Sequence, residues 1–221
     1  MLRHPAVPYV LPFAVFLLFL VLQPYNPLPG PVEQVVRVAI LAGIVWYFSR
    51  SVLDFRLASP LLTIAFGVAV FVVWILPDVL FPGYRGHWLF TNSISGAVNS
   101  SIPPEDLRSP LVLIFRTLRA ALLVPIIEEL FWRGWLMRWL DNPDFEKVPF
   151  GRYAHQAFWV SAVLFASEHG PYWDVGLLAG AAYNFWAIHT KRLGDCILAH
   201  GVTNLCLSVY TIATGKWEYW M

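Results

Sequence analysis

Glu128, Glu129 and Arg133 stand inside PIIEELFWRGWLMRWL, residues 125–140, a stretch otherwise built of isoleucine, leucine, phenylalanine and tryptophan. Glu129 and Arg133 are four residues apart with the acid first, the order that favours an ion pair along one helix face. Glu128 is left over. It is turned about 100° away from Glu129 and shares its face with Val124, Phe131, Trp132 and Trp135. An unpaired carboxylate on an apolar face has the chemistry of a general base. Two further motifs follow: His169 closes LFASEHG, and His200 with Asn204 lies in LAHGVTNL. His200 and Asn204 are one turn apart, so both can face one cavity. A histidine and an amide able to donate hydrogen bonds there are what an oxyanion requires. Taken singly, each group also fits a structural role, as a helix-stabilising pair or an interhelical hydrogen bond. Taken together they point to chemistry.

The elements that must position these groups belong to a membrane. The 221-residue chain is 58% hydrophobic and 13% charged, with mean hydropathy +0.59. Soluble domains are roughly 45–50% apolar and about 25% charged. Apolar windows predict seven helices near 6–22, 34–49, 60–80, 110–140, 154–170, 173–189 and 193–212. The expected architecture is therefore all-α: one polytopic bundle over residues 1–221, with a core at 110–212 that carries the motifs. Arg3 and His4 precede an apolar run to Leu22, which is longer than a signal-peptide core and has no cleavage site after it; we read it as a retained first span. Arg3, Arg50, Arg56, Arg138, Lys147, Arg152, Lys191 and Arg192 would share the inner side, against Arg85, Arg108 and Lys216 outside. That bias predicts a cytoplasmic N-terminus. With this topology Glu128, His169, His200 and Asn204 lie roughly 18, 22, 10 and 16 Å from the inner ends of their helices, all around the midplane of a ~30 Å core. Ionisable groups at that depth are costly and mark function. Arg116 and Arg119 are expected to snorkel toward headgroups, and Glu168 to point away from His169. Asp78, Asp174 and Asp195 read as span-end residues, and the polar loop 141–152 as a gate at the cavity's inner mouth.

The ordered set of motifs resembles the CAAX protease and bacteriocin-processing family, also called ABI or type II CAAX prenyl endopeptidases. EELFWR at 128–133 is similar to that family's E-E-x-x-x-R, FASEH at 165–169 to F-x-x-x-H, and HGVTN at 200–204 to H-x-x-x-N. The resemblance covers about residues 110–212. It implies an intramembrane endopeptidase in which Glu128 and His169 activate water, His200 and Asn204 hold the oxyanion, and Glu129 and Arg133 support them. The short, tryptophan-rich chain looks like a bacterial branch, some of whose members accompany exosortase-type sorting systems. The expected setting is then a bacterial inner membrane and a membrane-associated protein or peptide substrate.

No H-E-x-x-H and no zinc-finger spacing occurs, so the expected chemistry needs no cofactor. The alternative is zinc held by one glutamate with His169 and His200. Rival functions are a proton-coupled transporter, against which no inverted repeat is visible, and a non-catalytic scaffold. A net charge of +1 gives no reason to expect nucleic acid. Cys196 and Cys206 are ten residues apart in one helix, roughly 15 Å, too far for a disulfide.

Overall fold

Proline and glycine cut this apolar chain into rods, and the boundaries follow from their chemistry. A computed structural model describes residues 4–220; Arg3, which enters the orientation count, lies outside them. Seven helical rods run in order: α1 Val7–Tyr25, α2 Gly30–Ser49, α3 Pro60–Leu80, α4 Pro110–Asp141, α5 His155–Ser167, α6 Trp173–Thr190 and α7 Leu193–Thr214. Pro60 and Pro110 each take the first helical position, where a missing N–H costs nothing. Gly215, with φ 69°, ends α7 in the left-handed conformation. Five rods, α1 to α4 and α7, are long and apolar enough to cross a membrane by length and composition. The chain is a helical membrane bundle.

α7 is the central rod. It nests against α3 and α4 because glycines let backbones approach: a Cβ on Gly67 would lie 2.5 Å from the Ala199 carbonyl, and one on Gly201 2.8 Å from that of Ala121. Thr203 Oγ1 donates to the Gly67 carbonyl at 2.8 Å across the first contact. α5 and α6 form a hairpin that closes the bundle beside α4. Leu61, Leu164 and Val209 are among many exposed apolar side chains, as a lipid-facing surface requires.

The span-end acids are more than span ends. Asp195, fully buried, accepts from Thr63 Oγ1 at 2.5 Å and Ala58 N–H at 2.7 Å, tying the start of α7 to the start of α3. Asp78 and Asp174 both pair with Arg85, which also donates to the Pro171 carbonyl at 2.8 Å. This knot pins the 81–109 segment to α3 and α6. Cys196 and Cys206 are free thiols.

α4 is not a uniform α-helix. Two π-helical stretches interrupt it, at Arg119–Leu123 and Leu130–Leu136. Pro125 lies just after the first and has no N–H to give the turn before it. A carbonyl released there needs another donor, and Asn204 Nδ2 supplies one to Ala120 at 2.9 Å.

Candidate active site

The motif residues of α4 and α7 and the turn after α5 meet at one cavity of about 980 Å3. Glu128, His169, His200 and Asn204 all line it. Glu129 and Arg133 do not; they form the wall behind.

That wall is a hydrogen-bonded network. Glu129 Oε1 accepts from Arg133 Nη1 at 3.0 Å, the pair the spacing predicts, and also bonds His200 Nδ1 at 2.9 Å. Arg133 gives its other donors to Asn184 Oδ1 at 2.9 Å and the Gly180 carbonyl at 3.0 Å, both on α6. Asn184 in turn donates to the Phe158 carbonyl and to Ser161 Oγ on α5. One guanidinium therefore locks α4 to the α5–α6 hairpin. Its flat faces lie near Phe165 and Tyr183, 4.9 and 5.4 Å from the ring centroids. The Tyr183 ring also stacks on His200, 4.9 Å away and inclined by 19°.

Glu128 has a different environment. Its Oε2 is buried without a hydrogen-bond partner and lies 4.0 Å from His200 Nε2. With Nδ1 facing the Glu129 carboxylate, a neutral His200 carries its hydrogen on Nδ1 and turns an Nε2 lone pair toward Glu128. His169 is fixed in the same way. Its Nδ1 is 2.8 Å from the Phe165 carbonyl, which can only accept, so Nδ1 bears the hydrogen and Nε2 a lone pair. The His169 ring is held by Phe165 at 4.7 Å and edge-on by Trp74 at 5.2 Å. Asn204 spends one N–H on Ala120 and keeps a second.

Three expectations need correction. α5 ends at Ser167, so Glu168 and His169 lie in the turn beyond it, and Glu168 lines the same cavity instead of pointing elsewhere. Arg119 is buried, 4% exposed, and lines the cavity rather than reaching for headgroups; Arg116 lines it too, with its guanidinium 5.7 Å from the Trp220 ring. The cause is the wide turn at 119–123. On a uniform helix the nine residues from Arg119 to Glu128 would turn roughly 180°, placing the arginine on the opposite face. A π-helical turn absorbs one extra residue and removes roughly 100° of that angle. Lastly, no cavity-lining residue comes from 141–152; the connections that line it contribute Asn26, Leu28, Pro103 and Asp106 instead. The proposed gate is on the wrong side.

Tyr183, Asn184 and Trp74 belong to the site and were not singled out from sequence. Asn184, an amide inside an apolar helix, was the available signal.

Among the described residues, no three histidine, cysteine, aspartate or glutamate side chains are gathered as metal ligands. Glu128, His169 and His200 share the cavity without meeting as a coordination set.

Residues 110–206 match the family described as type II CAAX prenyl endopeptidase Rce1-like. The match begins at the first residue of α4 and ends within α7, so it contains all three motifs and omits α1 to α3. No match was found among curated proteins or solved structures. The match supports a protease of this type, and the long apolar helices support a membrane protein.

Proposed function

We propose that the chain is an intramembrane endopeptidase of glutamate type, hydrolysing a peptide bond of a membrane-associated protein or peptide. The observation that carries the reading is the contrast between adjacent acids: Glu129 lies behind the cavity wall with its Oε1 held by Arg133 and His200, while Glu128 lines the cavity and its Oε2 has no hydrogen bond.

In this mechanism Glu128 takes a proton from water, and the Nε2 lone pair of His169 orients that water. The water oxygen bonds to the scissile carbonyl carbon, and the carbonyl electrons move to oxygen. His200, whose Nε2 takes a proton from solvent water as substrate binds and returns it as the peptides leave, donates from Nε2 to this oxyanion with Glu129 behind it. The second N–H of Asn204 is the other donor. Glu128 passes its proton to the amide nitrogen, the C–N bond breaks, and two peptides leave. General-base catalysis of this kind contributes about 10²–10⁴-fold, and an oxyanion donor about 10²–10³-fold.

The setting we propose is a bacterial cell membrane with the N-terminus cytoplasmic, and no resident cofactor. The deciding experiment is cleavage of membrane-embedded candidate substrates by wild type, Glu128→Gln and Glu129→Gln in proteoliposomes. Full activity in Glu128→Gln overturns the assignment. Elemental analysis of the same preparations decides the metal question: one tightly bound zinc per active chain overturns the metal-free mechanism.

A further inference from the structure

Two connections of this bundle are built in opposite ways. Residues 141–152 have the build of an aqueous loop. They carry Asp141, Asp144, Glu146, Lys147 and Arg152, with Glu146 and Lys147 exposed and the apolar Phe145 and Val148 buried. The connection from α3 to α4 reverses this. Residues 88–104 contain no charged side chain, and Trp88, Leu89 and Ile94 all stand exposed, Ile94 by 97%. These apolar groups are not the side chains of a loose coil. Phe90 turns inward between the rings of Tyr84 and Trp173, with centroids 4.6 and 5.9 Å away. The apex closes on itself: Asn92 and Gly96 exchange backbone hydrogen bonds at 3.2 and 2.8 Å. Asn92 Oδ1 accepts from the Ile94 N–H at 2.8 Å and the Ser95 N–H at 3.0 Å. The N–H groups of Asn92, Ile94, Ser95 and Gly96 are thus all satisfied without water. Hydrocarbon demands such internal satisfaction, and water does not. The lipid-facing flank of α3 also runs directly into this segment, through the exposed Leu76, Val79, Leu80 and Phe81.

We infer that residues 88–96 are an interfacial anchor, with Trp88, Leu89 and Ile94 seated in lipid at the boundary between headgroups and acyl chains. Tryptophan suits the headgroup level, and leucine and isoleucine the acyl side of it. The anchor does not depend on the protease reading. The loop's other side holds the turn that follows His169. The Leu89 carbonyl accepts from Trp173 Nε1 at 3.0 Å, and Arg85 donates to the Pro171 carbonyl at 2.8 Å. The Ser95 carbonyl packs on Gly170 so closely that a Cβ there would lie 2.8 Å from it. The turn that carries His169 is therefore seated on the bilayer through this loop.

The test places the polarity-sensitive dye NBD on Ile94→Cys in the full-length chain, in phosphatidylcholine nanodiscs that leave both faces open to solvent. Cys206 is replaced by alanine and the buried Cys196 is retained; the same protein without the added cysteine is the labelling blank. Ile94 is almost wholly exposed, so the label should leave the fold intact. The same dye on Glu146→Cys is the aqueous reference. Iodide should quench the dye at residue 94 about fivefold less than at residue 146, because a charged quencher is excluded from hydrocarbon. Nitroxide on the lipid acyl chains should show the reverse order. Adding Trp88→Glu and Leu89→Glu should bring iodide quenching at residue 94 to within about twofold of the reference. Equal iodide quenching at the two positions without those changes overturns the inference. So does protection of residue 94 from both quenchers, which would mean that a protein partner or a second copy covers the loop. A dye that stays in lipid in the doubly substituted protein has found it unaided, and the inference then fails as well.

Discussion

α4 buries two arginines fourteen residues apart, Arg119 and Arg133, and treats them in opposite ways. Around Arg133 the donors have partners: Glu129, Asn184 and Gly180 supply acceptors from two helices. Around Arg119 no described group supplies one. The same side chain is a clamp in one place and an open socket in the other. Burial alone therefore says little about role; what each guanidinium is bonded to says more. The adjacent acids differ by position: Glu129 Oε1 is held in the Arg133 network behind the wall, and Glu128 lines the cavity.

Breaking each side should give different kinds of loss. The largest effect is expected for Glu128→Gln: cleavage falls about 10²–10⁴-fold while thermal stability in detergent is unchanged, measured side by side on one preparation. Arg133→Met should remove about 3–5 kcal/mol of stability, because Glu129 is left buried with its main counter-charge gone. Chemical unfolding in mild detergent reads this. Arg119→Gln, by comparison, should cost under about 1 kcal/mol or stabilise, since no native hydrogen bond is lost; a loss as large as that of Arg133→Met would erase the distinction drawn here. Glu129→Gln should lower the cleavage rate about 10–100-fold with KM little changed, as loss of a group that orients an active histidine does.

The smallest effect belongs at the aqueous edge. Arg56 hydrogen-bonds hold the Asp54 carboxyl down to about 2 from an ordinary 3.8. A lowered folded-state value makes its contribution complete above about pH 4 and lost as pH falls through 2. Asp54 is one-third exposed and Arg56 three-quarters, so solvent screens the pair. Asp54→Asn should therefore shift stability by less than about 0.5 kcal/mol at pH 7. A larger shift would mean that charge pairs outside the bundle matter as much as those inside.

Much of this was legible in the chain. The rods could be read because Pro60, Pro110 and Gly215 mark their ends by rules of backbone geometry, and because lipid demands long apolar runs. The Glu129–Arg133 pair could be read because i and i+4 fall on one face. The inward aim of Arg119 could not, since a uniform helical wheel carries the wrong angle across the wide turn at 119–123. The direction of Glu168 depended on where α5 stops, and a one- or two-residue shift in that boundary reverses it. The Asn184 link needed the α5–α6 packing, which no local pattern encodes.

The wide turn has a consequence for how this protein can be altered. A deletion of Leu122 alone would let α4 close into ordinary register and swing everything before it by roughly 100° relative to Glu128. Arg116 and Arg119 would both change address without any change of residue, and the carbonyl that Asn204 holds would be taken back by the helix. The lining of this end of the cavity is thus written partly in chain length, so that removing one leucine amounts to substituting a whole face at once.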